Sequence, residues 1–241
     1  MKVLVLGASG ATGKLVVRQL VKRQINCRVL IRESAVLPDE LQGNSFVEIV
    51  VGNVNELSDF EMTNLVSGCN VIISCLGHNV TLKGMFGKPR NLVLDAVKRI
   101  SETIHNKANP KVKLILMGTT GYTNTTEGEK NSTGEKFVHL LLRFLPPHQD
   151  NIKAANYLIT EIGEKTEHME WVIVRPDTLV NHEEESPYEV FPSPIRSPLF
   201  NAGKTSRINV SQFMTELVTI DERWNEWRYK TPVLYNTSSL T

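Results

Sequence analysis

Short apolar runs rich in β-branched residues alternate along the chain with stretches whose apolar positions fall three and four apart. Val3–Leu6 is apolar on both sides of its period-two alternation, as a strand buried inside a parallel sheet must be. Ala11–Arg23 then carries Leu15, Val16, Leu20 and Val21 at helical spacing. The same alternation predicts strands over Cys27–Ile31, Phe46–Val50, Val71–Cys75, Val112–Met117 and Trp171–Val174, with helices over Asn91–His105 and Ile152–Ile162. Ser58-Asp59-Phe60-Glu61 is a capping-box signature that opens a further helix towards Val66. Strands alternating with helices demand right-handed crossovers, so the expectation is an α/β fold with a doubly wound parallel sheet in the order 3-2-1-4-5-6.

Two segments break this rhythm. Tyr122–Asn151 exceeds a usual connection and carries its own apolar stripe, HLLLRFL, ended by Pro146-Pro147. Asn181–Ser211 is acidic at Glu183-Glu184-Glu185 and then proline-rich at Pro187, Pro192, Pro194 and Pro198. Long insertions after strands five and six lie at the carboxyl ends of such a sheet, where ligands bind. The expected organisation is one domain over 1–241, with 181–241 contributing a small substrate-side lobe.

The turn between the first strand and the first helix reads Gly7-Ala8-Ser9-Gly10-Ala11-Thr12-Gly13. Glycine is the costliest residue to order, so three of them spaced by three need a positional reason. A dinucleotide supplies it. Gly7 allows a sharp turn out of the strand, Gly10 a close approach of backbone to the pyrophosphate, and Gly13 tight packing of the helix on the sheet. The helix N-terminus then offers unpaired N–H groups to the phosphates, with Ser9 and Thr12 as hydroxyl donors. Past the second strand comes Arg32, followed by Glu33 and Ser34. An arginine there accommodates the 2′-phosphate of NADP, whereas an acidic residue selects the free ribose of NAD. Arg32 and Ser34 favour NADP(H), and Glu33 is the counter-argument.

Composition narrows the picture further. The chain has 241 residues, 41% of them hydrophobic and 22% charged, with a formal net charge of +1. That balance offers no support for a nucleic-acid or anionic-membrane partner. Cys27, Cys69 and Cys75 are odd in number and form no CxxC, so a reducing, cytoplasmic location is expected. No stretch approaches the roughly 20 apolar residues that a membrane crossing needs. The six histidines show no HxxxH or HExxH pairing, so no metal site is expected.

These residues together resemble the atypical short-chain dehydrogenase/reductases. The likeness is to the NAD(P)H-binding group that holds the NmrA-like proteins and biliverdin-IXβ/flavin reductase. It rests on GASGATG, Arg32, VGNV after strand three, IISCLG at strand four, LILMGTT, DNIKAANYLI, WVIVRPDTLV and SRINVSQFMTELV. The resemblance implies a Rossmann fold and places Asn53-Val54 beside the adenine, where the family usually has Asp-Val or Asp-Leu. It implies that Cys75, Leu76 and Gly77 line the adenosine–ribose path. Gly118, Thr119 and Thr120 match the strand-five end near the nicotinamide, and Arg175-Pro176 match the turn that passes its amide.

Lys153 sits near the lysine that contacts the nicotinamide ribose in tyrosine-dependent relatives. Those relatives carry Tyr-x-x-x-Lys on this helix, but here Gln149 stands four residues before Lys153 and supplies no proton. Tyr122 and Tyr157 are the substitute tyrosines, Thr119 a further catalytic candidate, and His78 and His148 the acid–base histidines. Trp224 and Trp227 either cap the core or form a contact patch.

The expected function is an NADPH-dependent oxidoreductase passing a hydride to a small conjugated acceptor of quinone, flavin or tetrapyrrole type. The alternatives are an NADP(H)-sensing regulatory protein of NmrA-like kind and, third, a nucleotide-sugar epimerase. A small-molecule partner and a monomer or weak homodimer complete the expectation.

Overall fold

The computed structural model describes residues 1–78, 90–106, 111–130, 134 and 146–237. Strands β1 (Lys2–Leu6), β2 (Asn26–Ile31), β3 (Val47–Val51), β4 (Val71–Ser74), β5 (Val112–Met117) and β6 (Met169–Pro176) are joined by helices except between β2 and β3, where 32–46 is loop and turns. These are α1 (Gly13–Lys22), α2 (Asp59–Val66), α3 (Leu92–His105) and α4 (Pro146–Asn156). Four short strands follow: β7 (Thr178–Val180), β8 (Tyr188–Phe191), β9 (Lys204–Ser206) and β10 (Val233–Asn236). Helices α5 (Arg207–Thr219) and α6 (Asp221–Trp227) lie between β9 and β10.

The main sheet runs β3-β2-β1-β4-β5-β6-β10-β8. The expected 3-2-1-4-5-6 order is present and parallel throughout, with Val3 opposite Cys27 on one side and Val71 on the other. The sheet then extends further than the hydrophobic pattern indicates. β10 adds parallel to β6, and β8 pairs antiparallel with β10. Such strands are too short for their alternation to stand out, and only the edge of β6 recruits them. β7 and β9 form a separate parallel pair.

Alternate residues of β1 face opposite layers. Val3 and Val5 pack with Val16, Val17 and Leu20 of α1 and with Val210, Phe213 and Leu217 of α5. Leu4 and Leu6 pack with Met62 and Leu65 of α2, Val97 and Ile100 of α3, and Leu158. Both faces of the sheet are therefore dry at β1 and β4, which explains their nearly continuous apolar runs, while the edge strand β3 is partly exposed.

The segment beyond Val180 divides between two places. Helix α5, N-capped by the Ser206 hydroxyl accepting from Asn209 N (3.3 Å), belongs to the α1 layer. Trp224 and Trp227 are buried there and cap the core, and the Trp224 indole N–H donates to Glu170 (2.6 Å). Residues 193–200 instead approach the loop after β5.

Element boundaries moved for identifiable reasons. Helix α1 starts at Gly13 and not Ala11, because residues 11 and 12 still belong to the turn. Helix α4 opens at Pro146, six residues before the expected start, since proline is tolerated in a first helical turn. It widens into a π-helical turn over Tyr157–Ile162 and stops at Gly163, whose φ is +63°. The HLLLRFL stripe (139–145) lies outside the described residues. Among the described residues no helix is long and apolar enough to cross a membrane.

Candidate cofactor cleft and the pocket beside it

The glycine loop is shaped by backbone contacts. Gly7 has φ +73°, and a Cβ there would sit 2.7 Å from the carbonyl oxygen of Cys75 at the tip of β4. Gly13 is more constrained still: its Cβ would lie 2.1 Å from the carbonyl oxygen of Gly7. The first turn of α1 thus rests on the loop itself, which any side chain at either position would push away. Gly10 N–H donates to Gly7 O (2.9 Å) and closes the turn.

The other donors are left available. The N–H groups of Ala11 and Thr12 have no backbone partner among the described residues, and α1 has no side-chain cap and no acid in its first turn. A helix N-terminus left open in this way suits a diphosphate, so the residues present fit a dinucleotide.

A cleft opens from this loop. Gly7, Ser9 and Gly10 form one end, Arg32, Gly52, Asn53 and Val54 the rim, and Cys75, Leu76, Gly77 and His78 the opposite wall. The carboxyl ends of β1, β2, β3 and β4 therefore bring together half of the expected cofactor residues. Arg32 is exposed, and its guanidinium makes no hydrogen bond or ion pair among the described residues. Glu33 and Ser34 are exposed and do not line the cleft. Asn53 faces the cleft with its amide already engaged, Oδ1 accepting from Asn55 N (3.2 Å) and Nδ2 donating to Glu56 (2.8 Å). Arg99 of α3 holds this loop by donating to the carbonyls of Val54 and Leu57. Ala8 and Thr12 are buried behind the loop, and Ala11 is exposed at its crest.

The expected nicotinamide-side residues do not line this cleft. Gly118 is pressed against Ile173, and its N–H donates to Val174 O (2.8 Å). Thr119 Oγ1 accepts from Gly121 N (3.1 Å). Pro176 is buried at the end of β6, paired with Leu234. Lys153 is exposed and donates to Asn91 Oδ1 (3.2 Å) ahead of α3.

Tyr122 is buried, and its hydroxyl donates to Asn156 Oδ1 (3.1 Å). Burial raises its pKa further above the ordinary phenol value, so it is a poor acid. Tyr157 lies near Met169, the first residue of β6, and so at the opposite end of the sheet. The His148 ring packs against Gly121.

Asp150 escaped sequence reasoning, and so did the partners of a second buried group, Arg175. Asp150, fully buried, accepts from Val93 N (2.8 Å) and Leu94 N (3.0 Å) in the first turn of α3, and its Oδ2 lies 2.8 Å from His78 Nε2. It fixes the imidazole at the cleft wall. A carboxylate one residue after Gln149 was a visible signal, but its partners are 57 and 72 positions away.

The second group is Arg175, fully buried on β6. It forms a forked pair with Glu129 (2.6 and 3.0 Å) and donates to the carbonyls of Thr231 (2.7 Å), Tyr122 (3.1 Å) and Pro192 (3.3 Å). Every guanidinium nitrogen is spent on protein, because the charge is buried and must be paired, so this side chain keeps no donor for a ligand.

Arg175 also ties together the two walls of a second pocket at the carboxyl ends of β5 and β6. Thr120, Tyr122, Thr123, Glu129 and Lys130 form one wall, and 193–200 form the other. Behind it Asp177 accepts from Thr178 N and Gly203 N (both 2.8 Å).

A profile of proteins described as NAD(P)H-binding matches residues 7–221. This chain belongs to the NAD(P)H-binding family. Solved structures of similar fold include a short-chain dehydrogenase/reductase from Veillonella parvula DSM 2008 in complex with NADP (TM-score 0.69, 17% identity, 100% of this chain and 96% of that one). Another is the anaerobilin reductase ChuY from Escherichia coli O157:H7 (0.66, 14%, 100% and 99%). A third is a Streptococcus pneumoniae TIGR4 protein provisionally described as an NADH-flavin reductase (0.70, 16%, 98% and 100%). At such identities the likeness shows a shared Rossmann-like α/β fold, and together with the family match it fits the atypical short-chain dehydrogenase/reductase group. In this NAD(P)H-binding chain the glycine turn and the strand-two tip are parts that converge on one cleft.

Proposed function

We propose that the protein is an NADPH-dependent reductase of a small conjugated acceptor. The observation that carries the reading is the cleft, with open N–H groups at one end and an unengaged Arg32 at its rim. Arg32 is suited to a 2′-phosphate, since guanidinium–phosphate bonds are forked and charge-assisted. Glu33, which would serve a free ribose, does not line the cleft. A flavin reductase and an anaerobilin reductase among the proteins of similar fold support the acceptor class.

A reduced nicotinamide held in this cleft would supply a hydride, with both of its electrons, to the acceptor. The acceptor takes one proton besides. The buried Tyr122 keeps its proton in a hydrogen bond to Asn156, so the acceptor's proton comes from water or from His78, which Asp150 orients at the cleft wall. Acceptors whose reduced form delocalises charge need the least help from an acid.

Titration calorimetry with NADP, NADPH, NAD and NADH, on wild type and Arg32→Ala, tests this. The expected result is tighter binding of the NADP pair. The variant should lose about tenfold or more of that preference, the worth of one charge-assisted contact of about 1.5–3 kcal/mol. Absence of binding by all four, or a preference untouched in the variant, refutes it. A sensor of the NADP/NADPH ratio is the second reading, favoured by the commitment of Tyr122 to Asn156. It requires different affinities for the two redox forms, because equal binding shifts no equilibrium.

A further inference from the structure

The second pocket has a composition that the reductase reading does not by itself require. It holds about 450 Å³ between the loop after β5 and the 193–200 segment. Among its lining residues, Ser193 offers a hydroxyl, Ile195 and Phe200 offer apolar surface, and Lys130 and Arg196 offer charge, while the Thr120 hydroxyl donates to Asp177 Oδ1 (3.4 Å). The one acid on its wall, Glu129, is already neutralised by Arg175. Neither Lys130 nor Arg196 has a carboxylate within ion-pair distance among the described residues. Asp177 lies close enough to Arg196 to feel its charge, yet its oxygens are turned to Thr178 N and Gly203 N and do not line the pocket. The pocket therefore presents an excess of positive charge.

The apolar part is unusual in its own way. Ile195 is 57% exposed and Phe200 65%, large side chains left in water at a pocket rim. Phe200 reaches across to the opposite wall, where its Cε2 lies 3.2 Å from the Cβ position of Gly134. Pro192, Pro194 and Pro198 stiffen this rim, so little chain entropy is lost when a ligand settles on it.

We infer that this pocket is the acceptor subsite and that it selects an amphiphilic anion. Such an acceptor has a flat apolar body against Ile195 and Phe200, and a phosphate or carboxylate held by Arg196 and Lys130. The inference rests on the reductase reading for the chemistry and on this pocket alone for the selectivity.

Matched pairs test it. Riboflavin and its 5′-phosphate share one ring system and differ by a phosphate; a naphthoquinone with and without a propanoate side chain differs by a carboxylate. Binding of each, in the presence of NADP, is measured by fluorescence or calorimetry at low ionic strength, and reduction by NADPH is followed separately. The charged member of at least one pair should bind about tenfold or more tightly, with the advantage shrinking as salt rises. Arg196→Ala and Lys130→Ala should each erase most of that advantage, Arg196→Glu should reverse it, and all three should leave NADP affinity unchanged. Which pair responds identifies phosphate or carboxylate as the preferred group.

Equal binding within both pairs, or an advantage that survives Arg196→Glu, overturns the subsite while leaving the reductase reading intact. Tight anion-dependent binding without turnover upholds the subsite and removes the reductase reading instead.

Discussion

Glu129→Ala is the sharpest test of how the second pocket is held. In the wild type, Arg175 has no exposed surface and the Glu129 side chain is only 8% exposed, so water screens the pair very little. Removing Glu129 leaves a buried guanidinium with two of its hydrogen bonds unmade, while the bonds to Thr231, Tyr122 and Pro192 remain. Stranding one partner of a buried pair costs about 3–5 kcal/mol. At about 2–4 °C per kcal/mol for a chain of this size, the melting temperature should fall by about 6–20 °C. Urea and thermal unfolding measure it directly.

Arg228→Ala is the internal control, because Arg228 is 47% exposed in its pair with Glu170, and an exposed pair is worth about 0–1 kcal/mol. Replacing both buried partners, Arg175→Met with Glu129→Leu, should recover part of the loss and no more, since the three carbonyls lose their donor. The acceptor KM should also rise in Glu129→Ala, because Arg175 joins Tyr122 on one wall to Pro192 at the start of the other. A loss below about 1 kcal/mol would refute the reasoning, placing this pair with the solvated ones.

Gly13→Ala drives a methyl to 2.1 Å from the Gly7 carbonyl, so it should destabilise by about 1–3 kcal/mol and cut NADP affinity at least tenfold. Gly77→Ala, with nothing within 4 Å of its Cβ, should stay within about 0.5 kcal/mol of wild type by thermal unfolding. Asp150→Ala strands the N–H groups of Val93 and Leu94 and should cost about 2–6 kcal/mol, at about 1–3 for each buried donor; a cost under 1 would show that water replaces the carboxylate. Burial pushes the thiols of Cys27 and Cys75 up to about 12, which disfavours the thiolate at neutral pH. Iodoacetamide should therefore label them only after unfolding, and rapid labelling of the native protein would contradict that burial.

The sequence by itself determined the core sheet and the phosphate turn. β1 to β6 are local apolar runs whose period and length mark buried parallel strands, and right-handed crossovers leave few ways to order them. Gly10 and Gly13 were legible because each answers a steric demand of the Gly7 carbonyl within six residues of itself, whereas the crowding of Gly7 by the Cys75 carbonyl comes from 68 positions away. Arg32 was legible because a strand end fixes where the next residue goes.

Tertiary structure decided the rest. β8 and β10 exist through the free edge of β6, and neither carries enough pattern of its own. Asp150 holds His78 across 72 positions, and Arg175 meets Glu129 across 46, distances at which a sequence records both residues and nothing of their meeting. Tyr122 and Lys153 were sensible proton-handling residues by type and spacing. Packing gave the hydroxyl of one to Asn156 and turned the other outward to Asn91, because a buried polar group takes the nearest partner and an exposed one takes whatever its helix face offers.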